Sequence, residues 1–320
     1  EAMAGRGFRV LAFGTGQWFS KDPAAWKFSI AGIIGFIDPP KESAADAVRV
    51  AQKAGIRVVM ITGDHPLTAR EVARSVHIWH DGDRLLTGPE IEAMNDGELA
   101  AALKQATVLA RILPEHKYRV VKTLQDYGET VTVTGDGVND VPALRAADLG
   151  IAMGSGTEAA KSAAKMVIVD NNLSVIVDAI RNARIIVDNI RKVIYYLVST
   201  SVTEIVLISS SIAAGLPLPI LPIQILWVNL VTDGVQDKTF PFIREEGNVM
   251  QRPPVPPSRQ FFDLRQIRRI VTFGLVMGSI GTLLFMHLLG IYPYELVVTI
   301  MFTSVVCFQW CNGLQAQMEH

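Results

Sequence analysis

Four long apolar runs, at 193–216, 220–232, 270–289 and 296–313, fill the carboxyl-terminal part of the chain, whereas charge is dense up to Lys192. Crossing the hydrocarbon core of a bilayer takes a helix of about 20 apolar residues. These runs approach that length, so the second part is expected to be a helical membrane bundle and the first a water-facing domain. The run at 220–232 is the shortest and carries Asn229, with Asp233 just beyond it. Over 320 residues the mean hydropathy is positive although 19% of the residues are charged, which fits this segregation. The formal net charge of −1 supplies no basic field and excludes a nucleic-acid binder. Two cysteines, Cys307 and Cys311, share one face of an expected membrane helix and read as packing residues. Residues 1–13 read as a strand, not as a signal peptide.

In the first part, the β-branched run Thr130-Val131-Thr132-Val133 leads into Thr134-Gly135-Asp136-Gly137-Val138-Asn139-Asp140. This reads as a buried strand ending in an acidic turn, which gathers Asp136 and Asp140 at the carboxyl edge of a sheet as a hard-oxygen site for Mg²⁺. Residues 56–61 form a second expected strand, delivering Thr62-Gly63-Asp64 to the same edge. Pro66 then opens a helix whose amino terminus suits a phosphoryl group. Residues 79–95 are polar and read as a surface excursion. Pro114-Glu115-His116-Lys117 opens a helix, and a lysine in its first turn sits at the positive end of the dipole, so an anion is expected beside Lys117. Residues 173–215 read as one helix of about forty residues, roughly 60 Å long.

The run Thr134 to Asp140, continued through Val141-Pro142-Ala143-Leu144 to Asp148-Leu149-Gly150-Ile151-Ala152-Met153-Gly154, resembles the hinge signature of the P-type cation-transporting ATPases. Asp38-Pro39-Pro40 resembles another hinge of that family. The resemblance implies an α/β haloacid-dehalogenase-like, Rossmann-type phosphorylation domain followed by an α-helical transmembrane bundle. It divides the chain into the end of a nucleotide-binding domain (1–27), the phosphorylation domain (28–172), a helical stalk (173–192) and a membrane domain (193–320), with helices at 193–215, 218–236, 268–289 and 294–313. It implies ATP and Mg²⁺ as cofactors. Arg9, Thr62, Gly63, Asp64 and Lys117 would contact the nucleotide or the transferring phosphoryl group. Asn139 would join Thr62, Gly63, Asp64 and Lys117 in catalysis, and Asp136 and Asp140 would hold Mg²⁺. The aspartyl nucleophile's motif, Asp-Lys-Thr-Gly-Thr, does not occur here, and the resemblance puts it upstream of Arg9. Asp237-Lys238-Thr239 is a decoy, followed by Phe240-Pro241 where Gly and Thr are required.

Lysine and arginine cluster around 181–192 and 238–269, while the links near 217 and 292 carry none. This puts the phosphorylation domain in the cytoplasm of an integral, multi-pass membrane protein. Ionisable residues inside a membrane default to function. Glu204 and Asp233 are two, and Asn229 and Asp233 are spaced to share a helix face. Oxygen ligands without Cys or His favour a hard cation. Trp227-Val228-Asn229-Leu230-Val231-Thr232-Asp233-Gly234 resembles the sixth membrane helix of calcium pumps, which implies Ca²⁺ as the transported cation and Glu204, Asn229, Thr232 and Asp233 as its ligands. Ser201 stands where two-calcium pumps have asparagine and Gln309 where they have glutamate; Val235-Gln236-Asp237-Lys238 also leaves their pattern. The expected partners are that cation, the lipid bilayer and any pump segments carried elsewhere. Other readings are a pump for another cation, a non-catalytic membrane fragment, and a membrane-tethered phosphohydrolase, whose only candidate motif is Asp81-Gly82-Asp83.

Overall fold

A computed structural model describes residues 8–16, 22, 28–36, 39–245, 247, 249–255 and 262–317. The chain divides into two compact units, Glu1–Ala179 with Met250–Pro257 and Ile180–Val249 with Ser258–His320.

The first unit opens with an antiparallel ribbon of β1 (Arg9–Gly16) and β2 (Phe28–Phe36), whose apolar side chains Phe28 and Ile30 are exposed. Asp38 of the proline hinge lies outside the described residues. Next, α1 (Glu42–Lys53) buries Ala47, Val48 and Ala51 and stops at Gly55, whose φ of +74° suits glycine. Two three-stranded parallel sheets follow. One runs β3 (Met60–Ile61), β5 (Ala106–Ala110), β4 (Arg84–Thr87), and the other β6 (Thr132–Gly135), β7 (Leu149–Met153), β8 (Met166–Ile168). Parallel pairing requires crossovers. Here they are helical: α2 (Pro66–Ser75), α3 (Gly88–Ala93), α4 (Asp96–Leu103), α5 (Pro114–Asp126), α6 (Val141–Ala146) and α7 (Glu158–Ala163). The fold is thus the expected α/β domain with parallel sheets. At the mouth of β6, Val131 N–H and the Gln125 amide both donate to Asp148, holding its carboxyl below the usual carboxylate range.

Two expectations need correction. The strand expected over 56–61 pairs only at Met60 and Ile61. Residues 79–95 are no surface excursion, because they contribute β4 and α3, and Leu86 and Ile91 are fully buried in the core with Leu99, Leu103 and Leu109. Their polar residues close turns around that apolar pair. Glu90 caps α3 at Thr87, and Asp83 accepts from His80 N–H and the Thr107 hydroxyl. Asp83 is therefore structural, and Asp81 pairs with Arg74.

In the second unit, α8 (Ser174–Ala213), whose first turns belong to the first unit, is a single helix of 40 residues, as its unbroken periodicity required. Among the described residues three helices are long and apolar enough to cross a membrane: α8, α11 (Leu264–Leu289) and α12 (Tyr294–Gln317). The stretch at 218–236 is instead composite, with α9 (Pro222–Trp227), a π-helical turn (Val228–Asp233) and α10 (Gly234–Gln236). Leu207, Ile220, Phe285, Val297, Met301 and Val305 form one apolar cluster. Cys307 and Cys311 are exposed, so they do not pack the bundle interior as expected.

Close approach of α11 to α8 depends on glycine. A Cβ on Gly278 would lie 2.6 Å from Val206 Cβ and 2.9 Å from the Thr203 carbonyl oxygen, and one on Gly274 would collide with Val202. Small residues four apart let membrane helices meet backbone to backbone. Gly278→Leu is expected to lower stability by about 1–3 kcal/mol through overpacking, measured as thermal unfolding in detergent, while Ile280→Leu, on an exposed face, leaves it unchanged.

Candidate functional site

The soluble site is assembled at the carboxyl ends of β3 and β6. After β3, the Thr62 hydroxyl donates to Asp64 Oδ2 at 3.1 Å and accepts from Asp64 N–H at 3.1 Å, an ST-turn closed on itself. Ile112 N–H donates to the Thr62 carbonyl and Arg111 N–H to that of Asp64, which fixes the turn against the strand end after β5. His65 Nδ1 caps α2, accepting from Leu67 N–H, and Pro66 occupies the first helical position. Gly63 is exposed at the apex.

After β6 the chain turns through a single 3₁₀ turn (Val138–Asp140) into α6. Lys117 Nζ lies 2.5 Å from Asp140 Oδ1, with side-chain exposures of 20% and 12%. This is the anion anticipated for that lysine. The other carboxylate oxygen, Oδ2, accepts from the N–H groups of Asp136 (3.2 Å) and Gly137 (3.1 Å). Gly135 makes room for this, since a Cβ there would stand 2.7 Å from Asp140 Cγ. Thr157 N–H donates to the Asp136 carbonyl at 2.8 Å, tying the loop after β7 to the same turn.

The consequence is a division of labour between the two acids. Asp136 is exposed, and so is Asn139. Asp140 is buried, with one carboxylate oxygen on Lys117 and the other on two backbone N–H groups. It positions the turn that presents Asp136. Asp136 fits a hard cation by its chemistry and exposure, but among the described residues no group of three or more His, Cys, Asp or Glu is gathered for a metal. The side chain of Arg9 lies outside the described residues; its backbone belongs to β1.

In the membrane unit, Glu204 Oε1 accepts from Gln309 Nε2 at 3.2 Å beside a cavity of about 10 Å³ lined by Thr200, Thr203, Phe308 and Asn312. The amide oxygens of Gln309 and Asn312 are buried without a partner among the described residues. Thr232 and Asp233 are buried in the π-helical turn, and Asp233 Oδ1 accepts from the Tyr196 hydroxyl at 2.7 Å. Asn229 is exposed, so the structure does not bring it to the buried face of Asp233. Gly234 N–H reaches the Asn229 carbonyl, the wider bond of a π-helical turn. Ser201 is also exposed, its hydroxyl donating to the Leu197 carbonyl. Sequence reading missed Tyr196, which carries no motif, and Gly274 and Gly278, for which a G-x-x-x-G pattern in an apolar run is a usable signal. Thr239 of the decoy spends its hydroxyl on the Gln236 carbonyl at a helix end.

Residues 5–148 match the family model of haloacid dehalogenase-like hydrolases, and residues 217–320 match that of the cation transporting ATPase C-terminus. The chain is 37% identical over 325 residues to a calcium-transporting ATPase of Bacillus subtilis, an alignment covering 99% of this chain and 36% of that protein. It is 41% identical over 255 residues to the endoplasmic reticulum calcium ATPase srcA of Aspergillus fumigatus, covering 78% of this chain and 26% of that one. It is 39% identical over 249 residues to calcium-transporting ATPase 1 of Lactococcus lactis, covering 78% and 28%. The chain thus spans about a quarter to a third of the length of these relatives. Its acidic turn, the buried Asp233 and both family matches point one way: the chain belongs to the P-type cation-transporting ATPases, of which it carries the haloacid-dehalogenase-like domain and the carboxyl-terminal membrane region.

Proposed function

We propose that this chain serves in an ATP-driven pump that moves Ca²⁺ across a membrane through an aspartyl-phosphate cycle. The observation that carries the reading is Asp233, a carboxylate 7% exposed within an apolar helical unit, on the same chain as a turn that presents Asp136 beside the Lys117–Asp140 pair. A membrane helix that holds a buried acid needs a cation or proton to justify it. Relatives named for calcium transport support Ca²⁺ as that cation. Asp233 and Thr232 are ligands from this chain, and the exposed Asn229 is open to join a ligand from outside it.

In the soluble unit, Asp136, helped by Asp140, would hold Mg²⁺, which neutralises charge on the phosphoryl group when bound, and Asn139 would serve catalysis from the same turn. Thr62 and the N–H groups of the Gly63 turn donate to the phosphoryl oxygens, and Lys117, held by Asp140, adds a fixed positive charge. Arg9, Thr62, Gly63, Asp64 and Lys117 serve the nucleotide side of the same site. The basic residues flanking the membrane helices support a cytoplasmic position for this unit. The test is ATP-dependent uptake of labelled calcium by vesicles containing the full-length protein. Uptake is expected for the parent, and at limiting Mg²⁺ an Asp136→Ala variant should lose both uptake and its acid-stable phosphoenzyme by at least about a hundredfold. Normal phosphorylation of that variant would overturn the assignment of Asp136.

A further inference from the structure

The proposed calcium site leaves unexplained why Asp233 is tied to a phenol. Tyr196 is fully buried and its ring is held against Phe240, with centroids 5.6 Å apart at 31°. A ring fixed in this way can move little except its hydroxyl proton. Two acceptors flank that hydroxyl: Asp233 Oδ1 at 2.7 Å and Gln236 Oε1 at 3.0 Å. A phenol has one proton to donate, so it serves one of them fully at a time.

We infer that Gln236 is a positioning residue for the cation site, the second acceptor to which the Tyr196 hydroxyl turns when Asp233 gives its carboxylate to a cation. Without cation, the phenol satisfies Asp233. With cation, the Asp233 oxygens face the ion and the phenol proton has to go elsewhere, since a buried hydroxyl with no acceptor is costly. Gln236 supplies that acceptor three residues further along the same composite helix, so release of Asp233 leaves no polar group stranded.

A second, independent feature shows that the position of Gln236 is built. Its amide end fills the space above Gly313 of α12, where an added Cβ would collide with Gln236 Nε2. Glycine at 313 and glutamine at 236 are therefore a matched pair. Gly313→Ala is expected to push the flexible amide away from Tyr196 while leaving the backbones in place, because the clash falls on the end of a long side chain. Asn312, next to Gly313, anchors α12 to α8 independently through Ser199 at 2.8 Å.

This inference rests on the calcium-pump reading, and its test separates the two. Equilibrium binding of labelled calcium would be measured on the full-length protein and on Gln236→Met, which keeps length and removes the strong acceptor. About tenfold weaker binding is expected, the size of one buried hydroxyl left without a partner. Gly313→Ala is expected to weaken binding to a similar degree, and combining it with Gln236→Met should add little. In a Tyr196→Phe background there is no proton to rehouse, so Gln236→Met should have no further effect. A purely structural role for Gln236 would persist in that background, and that result would overturn the inference, as would unchanged affinity in both Gln236→Met and Gly313→Ala. A parent protein that binds no calcium would overturn the pump reading and this inference with it.

Discussion

Asp140→Ala is expected to destabilise the soluble unit by about 2–4 kcal/mol and to abolish phosphorylation by loosening the turn that presents Asp136. Removing one member of a largely buried ion pair leaves the other charge uncompensated, a cost of about 3–5 kcal/mol when burial is complete; the 20% and 12% side-chain exposures here reduce it somewhat. Two further groups lose their acceptor, the N–H groups of Asp136 and Gly137, and an unsatisfied buried donor adds to the loss. Lys117→Met should cost less stability, because Asp140 keeps both amides. Denaturant unfolding of the two variants would test the ranking. Equal stability of Asp140→Ala and the parent would show that the acid does not hold the turn.

The soluble fold was largely legible because its signals are local. β-Branched runs, a glycine stop at Gly55 and prolines at helix starts each act on adjacent residues. The charge argument at Lys117 also worked, since a cation at the positive end of a helix has few stable partners, and Asp140 is the one provided. What failed depended on tertiary packing. The polar character of 79–95 hid Leu86 and Ile91, two residues whose burial only the sheet order reveals. Spacing also cannot tell which way the Asp140 carboxylate turns; that is decided by Gly135 and by the two amides that hold it. Asn229 was grouped with Asp233 by spacing, which says nothing of how far neighbouring helices cover each residue, and Asn229 is exposed where Asp233 is buried. Tyr196 and Gly313 have no local signature, because their roles exist only where two or three helices meet.

The second large effect concerns stoichiometry. Calcium asks for six to eight oxygens, with enough carboxylate to offset its charge. Around Glu204 the supply falls short. Gln309 presents an N–H donor to the carboxylate, the Ser201 hydroxyl is spent on its own helix, and the cavity of about 10 Å³ is the size of a single water. Around Asp233 the geometry is more favourable, with buried Thr232 alongside and a π-helical turn whose backbone departs from the regular ladder. The full-length protein is therefore expected to bind one calcium per phosphorylation site. Asp233→Asn should remove the buried charge that holds it and reduce calcium uptake by at least about a hundredfold, since an ion leaving water loses its main electrostatic compensation. Gln309→Ala should leave uptake within about twofold, because the amide donates to Glu204 and contributes no charge. Counting labelled calcium against phosphoenzyme decides the matter: two ions per site would refute the single-site reading, and loss of binding in Gln309→Ala would place the ion beside Glu204 instead.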